Sequence, residues 1–307
     1  MSETQELFNK LEKLATEQRN LDTLGIDVAS PEEIVRLINQ EDQKVAELVS
    51  KRLDVIAEAV EVISESFNLG GKLFYFGAGT SGRLGVVDAS ECPPTFGSPA
   101  DQVQGFIAGG KDAMYTAQEG AEDLQENGEQ EIQEKKIFPP DVVCGLAASG
   151  RTPYVIGVIN EAKKRGCKTI LVTTVPKEQL DVEPDFIIDV PVGPEVVMGS
   201  TRMKSGTAQK MVLNMLTTGA MIRQGKVYEN VMVDLQLTNK KLVERAKRII
   251  MMFTDLTYDD ATSYLEKADN HVKTAIVMAI GKVDANKAKE VLENNNGFIR
   301  TAIEELS

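Results

Sequence analysis

The stretch "LFYFGAGTSGRLGVVDASECPPTFG", Leu73–Gly97, decides the fold. Its apolar start has the length and composition of a buried strand. Gly77, Gly79 and Gly82, with the hydroxyls of Thr80 and Ser81 between them, then turn the chain into a helical segment. That segment is expected to stop at Glu91, before Pro93 and Pro94. A strand that passes into a helix through glycines belongs to an α/β sheet, so the question is what the loop holds.

Outward from this unit, short apolar runs alternate with helical stretches. Strands are predicted at "KLFYF", "VQGFIAG", "DVVCGLAA", "KTILVTT" and "DFIIDVPV", with helices near 112–126, 153–165 and 203–223. This alternation specifies a parallel α/β sheet with helices on both faces, and such sheets bind ligands at the carboxyl ends of their strands. A second loop there, "AASGRTPYVI", repeats the first design with Ser149, Gly150, Arg151 and Thr152, and Pro153 suits the first turn of the next helix.

Residues 1 to about 68 read as helical. Ser30 is the expected N-cap, Pro31 takes the first helical position, and Val45, Val49, Leu53, Ile56, Val60 and Ile63 recur at helical spacing. This face serves either the core or a subunit contact. From about Asn239 the strands cease and five short helical patterns follow, with Asp259 and Asp284 as N-caps and "NNNGF" as a turn before the last. The expected division is 1–240 for the α/β part with its leading helices and 241–307 for a small helical domain.

Gly77, Gly79 and Gly82 also satisfy the glycine pattern of a dinucleotide site. The next strand, "VQGFIAGG", ends in small residues where a ribose-binding acid should stand. A P-loop fails because Arg83 and Leu84 occupy the Lys and Ser/Thr places. What remains is a pair of loops rich in hydroxyls and backbone N–H groups at helix starts, suited to a compact phosphate monoester. One such loop could be a tight turn with capping hydroxyls; two in equivalent positions favour phosphate.

The charge balance agrees. Lys and Arg total 34 against 47 Asp and Glu, a net charge of −13 over 307 residues, the wrong sign for binding nucleic acid. An anionic ligand must be neutralised locally. The N-terminal "MSETQELFNKLEKL" has no apolar core and no run of 18 or more apolar residues follows, which predicts a soluble, cytoplasmic protein. Cys92, Cys144 and Cys167 have neither disulfide nor zinc spacing, so no metal is expected. Cys144 reads as core. Cys92 beside Glu91 is a nucleophile only in principle, because the one histidine, His271, lies far along the chain in the helical tail and reads as structural or exposed.

Two acids stand out. Glu91, at the expected end of a helix, faces the negative end of its dipole, which should raise its pKa and make it a proton donor; a solvated acid at a helix end is the alternative. "DAMYTAQEGAEDLQENGEQEIQEKK" places Glu119, Glu122, Asp123 and Glu126 on a predicted helix. Pattern alone does not choose among these four, and a solvated face accounts for most of them.

Five motifs, "GAGTSGRLGVVDASECPPTFG", "AGGKDAMYTAQEGAEDL", "AASGRTPYVIG", "GPEVVMGSTRMKSGTAQKMVLNMLTTG" and "NGFIRTAIEEL", resemble the N-acetylmuramic acid 6-phosphate etherase family of the sugar isomerase (SIS) fold. The resemblance runs from "TEQRNLDTLGIDVAS" to the end of the chain and is unbroken within the catalytic motifs. It implies a three-layer SIS domain, a small C-terminal helical domain similar to a ubiquitin-associated domain, a homodimer, no cofactor, and a phosphorylated amino sugar as ligand. By the same resemblance, Glu91 in "DASECPPT" takes the proton-donor position and Glu122 in "EGAED" the second catalytic position. Gly79, Thr80, Ser81, Ser149, Arg151 and Thr152 fall in the phosphosugar loops, and Lys204 in "STRMKSGTAQK" is a further candidate ligand. An aldose-ketose isomerase and a non-catalytic sensor akin to glucokinase regulatory protein are the alternatives. A sensor would need the hydroxyl loops but not two placed acids. A DNA-binding regulator of the superfamily would need a basic recognition helix, which the acidic N-terminal region lacks.

Overall fold

The computed structural model describes residues 15–118, 120–237 and 239–307; the helical expectation for residues 1–14 and the candidate acid Glu119 lie outside them. The chain forms two compact units. One comprises the chain up to Ser90 and Asp101–Thr217, the other Glu91–Ala100 and Thr218–Ser307.

In the first unit, Ser30 caps α1 (Pro31–Ser50), its Oγ accepting the Glu33 N–H, and Pro31 opens the helix. The run that reads as helical from Ser30 onward is two helices, because the chain breaks at Lys51 and Arg52 before α2 (Leu53–Asn68). Arg52 leaves helical geometry (φ −125°, ψ 13°) and its guanidinium grips Asp189, with Nε 2.8 Å from Oδ1. Val45, Val49, Ile56 and Ile63 are buried as their spacing predicts, whereas Leu53 stays exposed beside the break.

Five parallel strands follow: β1 (Leu73–Gly77), β2 (Val103–Ile107), β3 (Val142–Leu146), β4 (Lys168–Thr173) and β5 (Phe186–Asp189), in the order β2-β1-β3-β4-β5. Four of them lie within the predicted runs, and β1 extends one residue past "KLFYF", to Gly77. The reversal of order beside β1 creates the crevice in which such sheets bind ligands. Successive side chains of a strand point to opposite faces. On one face Phe74, Phe76, Val143 and Leu171 join a core with Ile132, Val155, Val158 and Ile159 of α4 (Gln125–Glu134) and α5 (Pro153–Lys164). On the other, Tyr75 and Leu146 meet Gly85 of α3 (Gly79–Phe96), where an added Cβ would lie 2.9 Å from each of them. The unit is therefore a three-layer α/β sandwich, completed by α6 (Lys204–Arg223), which begins here. Cys144 is fully buried in β3, and burial pushes its thiol pKa up.

The pair α4 and α5 packs backbone to backbone. A Cβ on Gly157 would fall 2.1 Å from the Gln125 carbonyl oxygen, and one on Gly128 2.1 Å from that of Tyr154. Gly157→Ala should therefore push the helices apart and cost about 1–3 kcal/mol, read as a lower urea midpoint; an unchanged midpoint would show that the two helices can separate freely.

Two expectations near the site need correction. The helix expected over 112–126 does not form: Lys111–Met114 is a single 3₁₀ turn, Gly120 takes φ +74°, Leu124 is extended, and α4 starts only at Gln125. Left-handed backbone at Gly120 interrupts any helix there. Likewise α3 does not stop at Glu91 but runs through Pro93 and Pro94 to Phe96. Those prolines forgo N–H bonds to the last turns without breaking the helix, and Gly97, at φ +61°, ends it with its N–H on the Pro93 carbonyl.

In the second unit, a two-stranded ribbon (β6, Val227–Tyr228; β7, Val231–Met232) precedes five helices: α7 (Lys240–Phe253), α8 (Tyr258–Lys267), α9 (Val272–Gly281), α10 (Ala285–Asn294) and α11 (Ile299–Leu306). Their apolar faces form one core around Ile250, Leu265, Ile276, Val291 and Ile299. Asp284 caps α10 as expected, accepting the Lys287 N–H. Asp259 does not cap α8; Thr257 does, its Oγ1 accepting the Asp260 N–H, and Asp259 falls one residue inside the helix. His271 stands at the N-cap position of α9, half-exposed between Thr274 and Asp234.

Candidate active site

The first loop is as short as a strand-to-helix turn can be: β1 ends at Gly77 and α3 begins at Gly79. The turn requires glycine at Gly82, where a Cβ would lie 2.6 Å from the Gly77 carbonyl oxygen, and Gly79 adopts φ +51°. Thr80 and Ser81 therefore occupy the first turn of α3, beside backbone N–H groups that lack partners within the helix. This is the anion-binding geometry of a helix start.

The second loop is pinned from the sheet side. The Ala148 carbonyl accepts from the Thr174 N–H and from both hydroxyls Thr173 Oγ1 (3.1 Å) and Thr174 Oγ1 (3.0 Å). Ser149 Oγ accepts the Arg151 N–H at 3.3 Å, and Thr152 stands at the N-cap of α5 with no side-chain capping bond. The Arg151 guanidinium is turned away from the loop backbone, donating to the Gln179 carbonyl through Nε (3.2 Å) and Nη2 (2.9 Å) and approaching Asp181. It braces the 177–181 segment.

The start of α6 links the two loops. Ser81 Oγ donates to Gln209 Oε1 at 2.8 Å, Thr80 lies against Gly206, and the Thr174 hydroxyl, which holds the second loop, is hydrogen-bonded to the Ser205 hydroxyl at 3.0 Å. The fully buried Glu195 caps α6, its carboxylate accepting the N–H groups of Lys204 (3.0 Å) and Ser205 (2.9 Å). A carboxylate there complements the positive end of the helix dipole. Lys204 itself points inward: its ammonium is buried and bound to Glu41 Oε2 at 2.6 Å.

Glu122 joins the loops from the other side. Its backbone carbonyl accepts the Tyr154 N–H in the first turn of α5 (3.0 Å), which follows the second loop. Its exposed side chain lines a cavity of about 130 Å³ with Gly79 of the first loop, Arg83, Ala108, Ala113 and Gln118. Arg83 shapes that cavity by donating to the Ala113 and Met114 carbonyls at 2.7 and 3.0 Å, which fastens the 111–114 turn over it. Asp123 and Glu126 are exposed and do not line it. Glu91 is exposed in the penultimate turn of α3 and is the first residue of the second unit. Cys92 next to it is buried.

The profile of the glucokinase regulatory protein N-terminal SIS domain matches residues 54–163, which span both loops. Over nearly its whole length the chain is similar to curated etherases. It is 56% identical to the N-acetylmuramic acid 6-phosphate etherase of Salinibacter ruber, covering 99% of this chain and 98% of that protein. With the N-acetylmuramic acid 6-phosphate etherase of Clostridioides difficile the identity is 51%, over 98% of this chain and 99% of that protein. The chain belongs to the N-acetylmuramic acid 6-phosphate etherase family. Its sheet and loops are those of the SIS fold, carrying C-terminal helices.

Within this etherase-family chain, several residues at the site escape sequence reasoning. Gln209, Glu195 and Ser205 lie in the quoted "GPEVVMGSTRMKSGTAQK" but carry no spacing signal that ties them to Ser81 or Thr174. Asp88, one turn before Glu91 on α3, is another. It is buried, accepts from Asn214 Nδ2 (2.8 Å) and Thr217 Oγ1 (3.2 Å) of α6, and burial pushes its carboxyl pKa up despite those bonds. A polar residue at a helical core position is the one signal that could have marked it. Among the described residues no helix is long and apolar enough to cross a membrane, and no cluster of three His, Cys, Asp or Glu side chains is arranged to hold a metal.

Proposed function

We propose that this chain cleaves the D-lactyl ether of N-acetylmuramic acid 6-phosphate, giving N-acetylglucosamine 6-phosphate and D-lactate. The observation that carries the reading, beside family membership, is that Glu122 lines one cavity with the phosphate-loop residue Gly79 while its backbone is fastened to the helix that follows the second loop. On this reading the base stands beside the loop that takes the phosphate.

In the open-chain sugar the aldehyde acidifies the proton on C2, and Glu122 removes it, the charge spreading onto the carbonyl. The lactyl oxygen leaves C3 with a proton supplied by Glu91, so that no free alkoxide forms. Water then adds to C3 of the unsaturated aldehyde, and the net result is ether hydrolysis by a carbon-oxygen lyase path. Thr80, Ser81, Ser149 and Thr152, with the first-turn N–H groups of α3, hold the 6-phosphate. Arg151 supports the second loop through Gln179 and Lys204 fixes the start of α6, so each serves the ligand through the backbone it positions. None of these steps calls for a metal or redox cofactor. The reading includes a cytoplasmic homodimer, with the SIS part over 1–240 and a small helical domain over 241–307 similar to a ubiquitin-associated domain.

The test is to incubate the purified protein with N-acetylmuramic acid 6-phosphate in ¹⁸O-water and analyse both products by mass. Label on C3 of the sugar with unlabelled D-lactate is the expected result. Label in the lactate would overturn the elimination path. Conversion to a ketose without lactate would make the protein an isomerase, and binding without turnover would make it a sensor.

A further inference from the structure

A buried carboxamide has two donor hydrogens and an acceptor oxygen to satisfy. Gln209 of α6 is 1% exposed; its Oε1 accepts from Ser81 Oγ, and its Nε2 has no partner among the described residues. An orphaned buried N–H is rare and calls for an explanation. The same bond has a consequence for the first loop. Ser81 has one proton, and while it is given to Gln209 the hydroxyl can offer only lone pairs to an anion.

We propose that Gln209 is the positioning residue that switches Ser81 between these two roles: when a phosphate enters the loop, the carboxamide turns over, Nε2 donates to Ser81 Oγ, and the Ser81 proton is released to a phosphate oxygen. The turn exchanges two groups of nearly equal size, so the packing around Gln209 hardly changes. It pairs one of the two unpaired N–H hydrogens with Ser81 and leaves the carbonyl oxygen unpaired instead, and unpaired carbonyls are tolerated somewhat better in protein interiors. It also creates a charge-assisted bond from Ser81 to the phosphate, stronger than the neutral bond it replaces. The free site thus holds its donor in reserve. The inference rests on the phosphate-binding reading of the Gly79–Ser81 loop.

Inorganic phosphate, as a competitive inhibitor of turnover, is the probe. Gln209→Glu can only accept, so it keeps the Ser81 proton and should raise the inhibition constant about 10- to 100-fold. Gln209→Met has similar volume and no acceptor, and should change the constant by no more than a few-fold. In a Ser81→Ala background Gln209→Glu should add only a few-fold, because its effect passes through the hydroxyl. The side-chain ¹⁵N amide signal of Gln209, assigned by its loss in Gln209→Met, should move on saturation with phosphate in the wild type and stay in place in Ser81→Ala.

Equal losses from Gln209→Glu in both backgrounds would mean direct charge repulsion and overturn the proposal. So would a Gln209→Met variant as weak as Ser81→Ala, or an amide signal indifferent to phosphate while Ser81→Ala weakens binding. If Ser81→Ala leaves the phosphate constant unchanged, the loop reading itself fails and takes the proposal with it. Should Gln209→Glu not fold, the methionine variant and the amide signal still decide.

Discussion

Glu122→Gln and Glu91→Gln are each expected to lower kcat about a hundred- to ten-thousandfold, the range for loss of a general acid or base, with KM for the phosphorylated sugar nearly unchanged. The two substitutions should fail at different steps. With Glu122 intact, the Glu91 variant should still exchange the C2 proton of the substrate with deuterium from solvent, although no lactate leaves. The Glu122 variant should do neither. Exchange lost in the Glu91 variant and kept in the Glu122 variant would reverse the roles, and full turnover in either variant would remove that residue from the mechanism. Glutamine keeps the shape and polarity of the side chain, so a defect confined to kcat reports the proton rather than the packing.

Glu41→Ala should cost about 3–5 kcal/mol of stability, the penalty for leaving a buried charge without its partner. The Lys204 ammonium, at 2% exposure, lies 2.6 Å from Glu41 Oε2, and with Glu41 gone it would be a desolvated cation at the start of the helix that links both loops. Lys204→Met should cost less, because half-exposed Lys44 also pairs with Glu41. The double variant Glu41→Met/Lys204→Met should recover most of the loss, since an apolar pair fills the space without a buried charge. Urea unfolding measures all three, and a Glu41→Ala variant within about 0.5 kcal/mol of the wild type would show that water reaches the lysine. The pH dependence has a definite sign. Burial pushes the Glu41 carboxyl up, but Lys204 and Lys44 more than offset it and hold its pKa below the ordinary carboxylate value. A depressed folded value means that the stabilisation is complete above the unfolded carboxylate pKa and is lost as the pH falls through the folded one. The gap between wild type and Glu41→Ala should therefore narrow in acid.

Local physics made much of the fold legible. The β1 run is apolar because both faces of a parallel sheet are covered, and Ser30, Pro31, Asp284 and the two glycine loops do what residues of their kind do at helix ends and turns. Where a second local rule competed, the reading slipped. Acid-rich helical spacing over 112–126 yielded to the left-handed backbone of Gly120, and the stop expected before Pro93 moved to Gly97, where a left-handed glycine ends the helix. The break at Arg52 depended on Asp189, 137 residues away, which no periodicity encodes.

The sequence by itself determined the parallel sheet, its two glycine and hydroxyl loops and the set of acids that contains the proposed catalytic pair, because strand runs, glycine turns and helix starts depend on neighbours a few residues apart. Only the tertiary structure decided how those pieces are used. Glu122 reaches the cavity of Gly79 because a turn, not a helix, presents it, and Lys204 and Arg151 are committed to Glu41 and Gln179 rather than open to solvent. Ser81 faces Gln209, 128 residues along the chain. Each pairing satisfies a buried or partly buried donor or charge, and which partner satisfies it is settled by packing.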